Sequence, residues 1–273
     1  MSEEQVLPEM PAEDYEYSIA SQIAYQYYDN GNDADATQEA LDNYIEGYTL
    51  DPELSNDNAV TITRPDGSAI LAYRGTRPTN IDDLNADAAI LAGQHRSDIP
   101  HPRFTEALHQ YNLVSQKYEN VDLTGHSLGG TLADYVGRMT DEKAVVMNPG
   151  ETPFSLSVIP KSETSKTKIY ITNTFDLVSF ANSMYPHAQS IRVVPQTQPM
   201  QNWIGSHDLE NFLPRQSMLP ISTEPDIIIP SFIPISVSNE KREIIQQEPF
   251  ISDICKIRPD LLECQERKSK KKN

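Results

Sequence analysis

Ser127 is the residue of this sequence most plainly set up for chemistry, because glycines stand two positions to either side of it in Gly125-His126-Ser127-Leu128-Gly129-Gly130. A hydroxyl is a weak nucleophile at neutral pH. It needs exposure on a tight turn, a base to take its proton, and hydrogen-bond donors where an oxyanion will form. The pattern G-x-S-x-G supplies the turn when a strand precedes it and a helix follows. Val121 to Thr124 reads as that strand, and Leu128 to Met139, with small residues at its start, as that helix.

On such a turn the partners follow in the chain order Ser, acid, His. Of the six histidines, His95, His101, His109 and His126 precede the serine, which leaves His187 and His207. His207 follows the last expected strand, in Gly205-Ser206-His207-Asp208, where a loop can bring an imidazole to the C-terminal edge of a sheet. His187 precedes that strand and suits a structural hydrogen bond, so His207 is the favoured base. Asp176 stands just beyond the β-rich run Ile169 to Thr172, where its carboxylate could fix the imidazole tautomer. Taken alone it would be a turn or capping aspartate. The oxyanion donors are expected to be the backbone N–H of Leu128 and that of Thr76, at the end of Tyr73-Arg74-Gly75-Thr76.

The elements that must hold these residues are legible in outline. Ile19, Ile23 and Tyr27 recur at spacing four within residues 14 to 28, a helical stripe, and Thr37 to Tyr48 reads as a second helix. Ala59 to Thr63 and Ala69 to Tyr73 flank an Asp66-Gly67 turn and read as a hairpin. Beyond Tyr73, strand and helix alternate. Phe104 to Tyr118 is helical, and Ala144 to Met147, Ile169 to Thr172 and Ser190 to Val194 are further strands. The expected fold class is α/β, a mostly parallel sheet of α/β-hydrolase type with helices on both faces. It spans residues 1 to 212. From 213 to 273, Pro214, Pro220, Pro225, Pro230 and Pro234 punctuate apolar runs such as Ile227-Ile228-Ile229, and a proline-rich extended arm, partly disordered, is expected there.

Ala72-Tyr73-Arg74-Gly75-Thr76, Ile81-Asp82-Asp83-Leu84, His101-Pro102-Arg103-Phe104 and Leu123 to Ala133 resemble, in order and approximate spacing, the class 3 (fungal-type) lipases. Met147-Asn148-Pro149-Gly150, Asn173 to Val178 and His207 to Phe212 continue the resemblance, which covers roughly Tyr15 to Phe212. It implies a lipase or esterase with Ser127 as nucleophile, Asp176 as acid, His207 as base and Thr76 with Leu128 at the oxyanion. It implies no metal and no organic cofactor, and a lipid or small ester as substrate. Two departures stand out. The stretch from Asp176 to His207 is shorter than the family's, and the place of its amphipathic lid reads Arg77 to Asp87, mostly polar, with Ile81 and Leu84 as the spaced apolar residues. Adsorption to oil scales with buried apolar area. A dispersed ester or a single lipid is therefore expected in preference to emulsified triglyceride, and a phospholipase or galactolipase remains an alternative.

A formal charge of −18 repels nucleic-acid phosphates and anionic lipid headgroups at long range, and no nucleic-acid partner is expected. The acidic opening Met1-Ser2-Glu3-Glu4 and the lack of a long apolar run predict no signal peptide, no transmembrane segment and a cytoplasmic or otherwise intracellular location. Two cysteines, Cys255 and Cys264, exclude a disulfide framework for the main fold. The basic end, Arg267 to Lys272, reads as a solvated tail. A rival of another class is a non-catalytic binding or scaffold protein that keeps the hydrolase fold. Its working part would be the C-terminal arm, laid along a protein partner as an extended strand.

Overall fold

The computed structural model describes residues 9–76, 102–149, 165–172, 188–195 and 208–214. Among them, helices α1 (Tyr15–Asp29) and α2 (Ala34–Tyr44) come first. Strands β1 (Thr49–Asn56), β2 (Ala59–Thr63) and β3 (Ala69–Tyr73) follow. Helix α3 (Pro102–Lys117), strand β4 (Val121–His126), helix α4 (Leu128–Thr140) and strands β5 (Ala144–Met147), β6 (Thr167–Thr172) and β7 (Ser190–Val194) complete the regular elements. Single 3-10 turns lie at Ala12–Asp14 and Leu209–Phe212.

The seven strands form one sheet in sequential order. β1, β2 and β3 pair antiparallel, and β3 through β7 pair parallel. The fold is α/β. Because a strand shows its side chains to alternate faces, each parallel strand serves two cores. Leu71, Leu123, Val146 and Ile169 face α3 and α4, whereas Ile70, Ala72, Val145 and Tyr170 face α1 and α2. Right-handed crossovers that advance in one direction put every connecting helix on the same face. That places α3 and α4 together, with Phe104 of one edge-on to Tyr135 of the other at 4.9 Å. The opposite face is covered from the N-terminal side.

Helix α1 does most of that covering, and its buried surface is wider than its stripe of spacing four. Tyr17, Ile19, Ala20, Ile23, Ala24 and Tyr27 are all buried, because the sheet lies on one side and α2 and the Leu209–Phe212 turn on others. Each large apolar side chain sealed this way contributes roughly 1.5 to 3 kcal/mol. Polar contacts set its register on β4. Tyr17 donates to Asp122 at 2.6 Å, Ser21 and Thr124 share a hydroxyl bond at 3.2 Å, and Tyr25 meets His126. The helix and the strand therefore run in the same direction.

At the N-terminal edge of the parallel strands this seam ends in charge. Arg64 bridges Glu16 at 2.8 Å and Asp122 at 2.7 Å, Tyr48 donates to Glu16, and Lys143 reaches Tyr17. Burial, and then the Asp122 carboxylate, raise the Tyr17 phenol far above its ordinary value; burial, and then the Glu16 hydrogen bond, push Tyr48 up to about 12.

The hairpin of β2 and β3 pairs as expected, Ala59 with Tyr73 and Thr63 with Ala69, and Gly67 takes φ 85° in its turn. The second helix differs from the expectation. It starts at Ala34, where Asp33 caps the Ala36 amide at 3.0 Å, and ends at Tyr44. Residues from Thr49 belong to β1, which the sequence did not announce. Pro52 is tolerated there because β1 is an edge strand of the sheet. The expected arm from 213 to 273 lies outside the described residues, except for Leu213, which packs on the α1 core, and Pro214. No helix among the described residues is long and apolar enough to cross a membrane.

Candidate active site

The parallel register sets Tyr73 level with Gly125, His126 with Met147 and Met147 with Tyr170, so β3, β4 and β5 end within a residue of one another along one edge, and β6 runs two residues further. Ser127 sits on that edge between the end of β4 and the start of α4. Its backbone takes φ 57° and ψ −128°. Asn32 and Asp141, two other residues of positive φ, are of the types that tolerate a left-handed conformation. Serine is not, and its ψ falls outside even the left-handed helical region, a conformation costing about 1 to 3 kcal/mol. Strain of this kind persists only where surrounding structure over-determines it.

The surroundings are three glycines packed against backbone. A Cβ on Gly125 would overlap the Gly129 carbonyl and lie 2.7 Å from the Gly130 nitrogen. One on Gly129 would overlap the Tyr73 carbonyl oxygen and stand 2.9 Å from the Gly75 nitrogen. One on Gly75 would strike the Tyr25 hydroxyl and come within 3.3 Å of the Ser127 Cβ. The ends of β3 and β4 and the start of α4 thus touch through main chain. No side chain larger than hydrogen fits between them.

The elbow is tied laterally as well. The Ser127 amide donates to the Met147 carbonyl at 3.1 Å, and the Asn148 amide to the Tyr170 carbonyl at 2.8 Å. The Asn148 side chain accepts from the Thr172 amide at 2.9 Å and donates to its hydroxyl at 3.2 Å. Asn148 itself has φ 39°. One ladder of bonds therefore runs from the serine to the end of β6, the strand that leads towards Asp176.

Ser127 is buried at 4% exposure, and its hydroxyl does not cap its own helix. Leu128 begins α4, whose first-turn amides have no partner within the helix and form its positive end. Thr76 ends the described part of the segment after β3, directly beyond Gly75. Three of the expected site residues, Ser127, Leu128 and Thr76, thus belong to segments that meet at one edge. Asp176 and His207, with the alternative base His187 and the polar stretch Arg77 to Asp87, lie outside the described residues. Asp208, beside His207, accepts from the Glu210 amide at 3.1 Å and opens the Leu209–Phe212 turn, which packs Leu209 and Phe212 into the α1 core.

Other residues frame the edge without having been singled out from sequence. The Arg74 guanidinium stacks on the Tyr28 ring at 3.9 Å and donates to the Asp57 carbonyl at 2.6 Å, and burial lowers its pKa. Arg103 holds the Arg74 carbonyl at 3.1 Å. Together they brace the end of β3. Tyr25 and His126 share a bond at 3.1 Å behind the elbow. Among the described residues no cluster of three or more His, Cys, Asp or Glu could hold a metal ion.

Compared with protein-family models the chain matches none, and no curated protein matches it.

Proposed function

We propose that the chain is a serine hydrolase of carboxylic esters, with an α/β-hydrolase-like fold of the class 3 lipase type. The observation that supports it most is the backbone of Ser127, strained at φ 57° and ψ −128° on a glycine-packed turn from a parallel strand into a helix. A structural serine needs no such conformation, and a nucleophile turn does.

In this reading the reaction is a two-step acyl transfer. His207 takes the Ser127 proton as the hydroxyl oxygen bonds to the ester carbonyl carbon, and Asp176 holds the imidazole in the productive tautomer. The oxyanion rests on the amides of Leu128 and Thr76. Collapse expels the alcohol, which receives its proton from His207. Water then gives a proton to His207 and attacks the acyl-enzyme, and release of the acid restores Ser127. The polar character of Arg77 to Asp87 favours a dispersed ester or a single lipid molecule over an oil surface.

A fluorophosphonate probe tests the nucleophile. Ser127 should be the residue labelled in folded protein, and Ser127→Ala should lose both labelling and p-nitrophenyl ester turnover. His207→Ala should lower kcat by about 10⁴-fold or more while His187→Ala changes it little. Unlabelled folded protein, or full turnover by Ser127→Ala, would end this reading.

A further inference from the structure

Tyr25 lies 101 positions from His126 in the chain and belongs to the covering helix α1, yet its hydroxyl reaches the back of the nucleophile turn. It stands 3.1 Å from His126 Nδ1 and 3.5 Å from the His126 carbonyl oxygen, the carbonyl of the peptide that enters the strained serine. The two rings meet edge to face with centroids 6.1 Å apart. Tyr25 is buried, at 6% exposure. The same hydroxyl, the His126 carbonyl oxygen and the Ser127 Cβ are the three atoms nearest the place a Cβ on Gly75 would take, the last at 3.3 Å. The Tyr25 hydroxyl, Gly75 and the peptide that enters Ser127 therefore meet at one point.

We infer that Tyr25 is a positioning residue: its hydroxyl, wedged between Gly75 and His126, sets the separation between the Gly75-Thr76 segment and the Ser127-Leu128 turn. This rests on the hydrolase reading above, in which those two segments supply the oxyanion amides. The physical reason is leverage. An oxyanion hole works only while its donors stand at hydrogen-bond distance from one point in space, and the two donors here come from separate strand ends. Packing against Gly129 fixes how closely the ends can approach. The Tyr25 bond fixes them from behind, through a rigid ring on a helix whose register on β4 is set independently by Ser21 and Thr124. A hydroxyl in this place acts on the reaction through the backbone it holds and need not touch the substrate.

Tyr25→Phe keeps the ring and removes the wedge. Ser21→Ala, on the same seam one helical turn away, serves as the control for general loosening. Three readouts are compared: kcat and KM on a short p-nitrophenyl ester, the rate of fluorophosphonate labelling, and amide hydrogen exchange at Gly75, Thr76 and Leu128. In Tyr25→Phe, kcat and the labelling rate should fall by about 10- to 100-fold with KM within about twofold, the signature of misplaced donors. Exchange at the three amides should quicken, while Ser21→Ala leaves kcat within about twofold. His126→Phe should shift the readouts in the same direction, and the double variant should lose less than the sum of the two, since both changes break the Tyr25–His126 Nδ1 bond. Unchanged kcat in Tyr25→Phe beside an active wild type overturns the inference, as does an equal fall in Ser21→Ala. If the wild type neither labels nor turns over esters, the hydrolase reading fails by itself and exchange alone decides the coupling. Faster exchange at Gly75 and Thr76 then upholds it, and unchanged exchange overturns it.

Discussion

The seam between α1 and β4 is closed differently at its two ends. At the N-terminal edge of the parallel strands, Glu16, Arg64, Asp122 and Lys143 hold it with charge around the Tyr17 hydroxyl, and every contact is made between side chains. At the other edge the contact is the Tyr25–His126 side-chain bond, the packing is backbone on backbone through Gly75, Gly125 and Gly129, and the strain is stored in Ser127. One end invests side chains in stability. The other accepts strain to place a hydroxyl, an arrangement expected where structure serves chemistry.

Exchanging the properties of the two ends should break this contrast in opposite ways. Ser127→Gly should have the largest effect on turnover, a loss of about 10⁴-fold or more. Yet thermal unfolding should show stability unchanged or raised by up to about 1 kcal/mol, because glycine adopts positive φ without the strain. A clear fall in Tm would mean that the serine conformation is not costly. Arg64→Ala should do the reverse. It leaves the Glu16 and Asp122 carboxylates without their shared cation, so denaturant titration should show a loss of about 3 kcal/mol, with kcat nearly intact at temperatures where the variant is folded.

Gly129→Ala sits between these cases, since its methyl group would be driven into the Tyr73 carbonyl. A cost of about 2 to 3 kcal/mol is expected with loss of turnover, because the backbone that must yield also carries the proposed site. The smallest effect concerns Tyr48. Burial and its bond to Glu16 push its folded pKa up to about 12. Its contribution is complete below the unfolded value near 10 and is lost as pH rises through 12. Tyr48→Phe should therefore flatten the stability curve above about pH 10, and an unaltered alkaline limb in equilibrium unfolding would deny the group this role.

What the sequence disclosed follows the range of the interactions involved. The β2–β3 hairpin was legible because Asp66-Gly67 is a local turn signal between alternating runs, and the serine turn because Gly125, Gly129 and Ser127 lie within five residues. Strand β1 was not. Its burial does not alternate, it contains Pro52, and its buried Asp51 is satisfied by Lys117 at 2.7 Å and Tyr118 at 2.8 Å, which stand more than sixty positions away. The start of α2 was misjudged although Asp33 is a good cap, since the apolar spacing begins later than the capped turn. Tyr25 falls within the expected helix of residues 14 to 28 but outside its Ile19, Ile23 and Tyr27 stripe. Only the meeting of α1 with β4 gives it a neighbour on the serine turn, and no local pattern encodes that meeting.

Because the described crossover helices α3 and α4 lie on one face, the other face of the sheet depends on a helix made long before strands β4 and β5, which it covers. Tyr17, Ser21 and Tyr25 find Asp122, Thr124 and His126 only after about a hundred intervening residues have been added. At a synthesis rate of about 5 to 20 residues per second, α1 waits roughly 5 to 20 s with its apolar surface unpaired. The closure it awaits is non-local and therefore slow to form. For that interval the ribosome-bound chain carries α1 with its apolar surface unpaired, and a chaperone that shields short apolar helices would find residues 15–29.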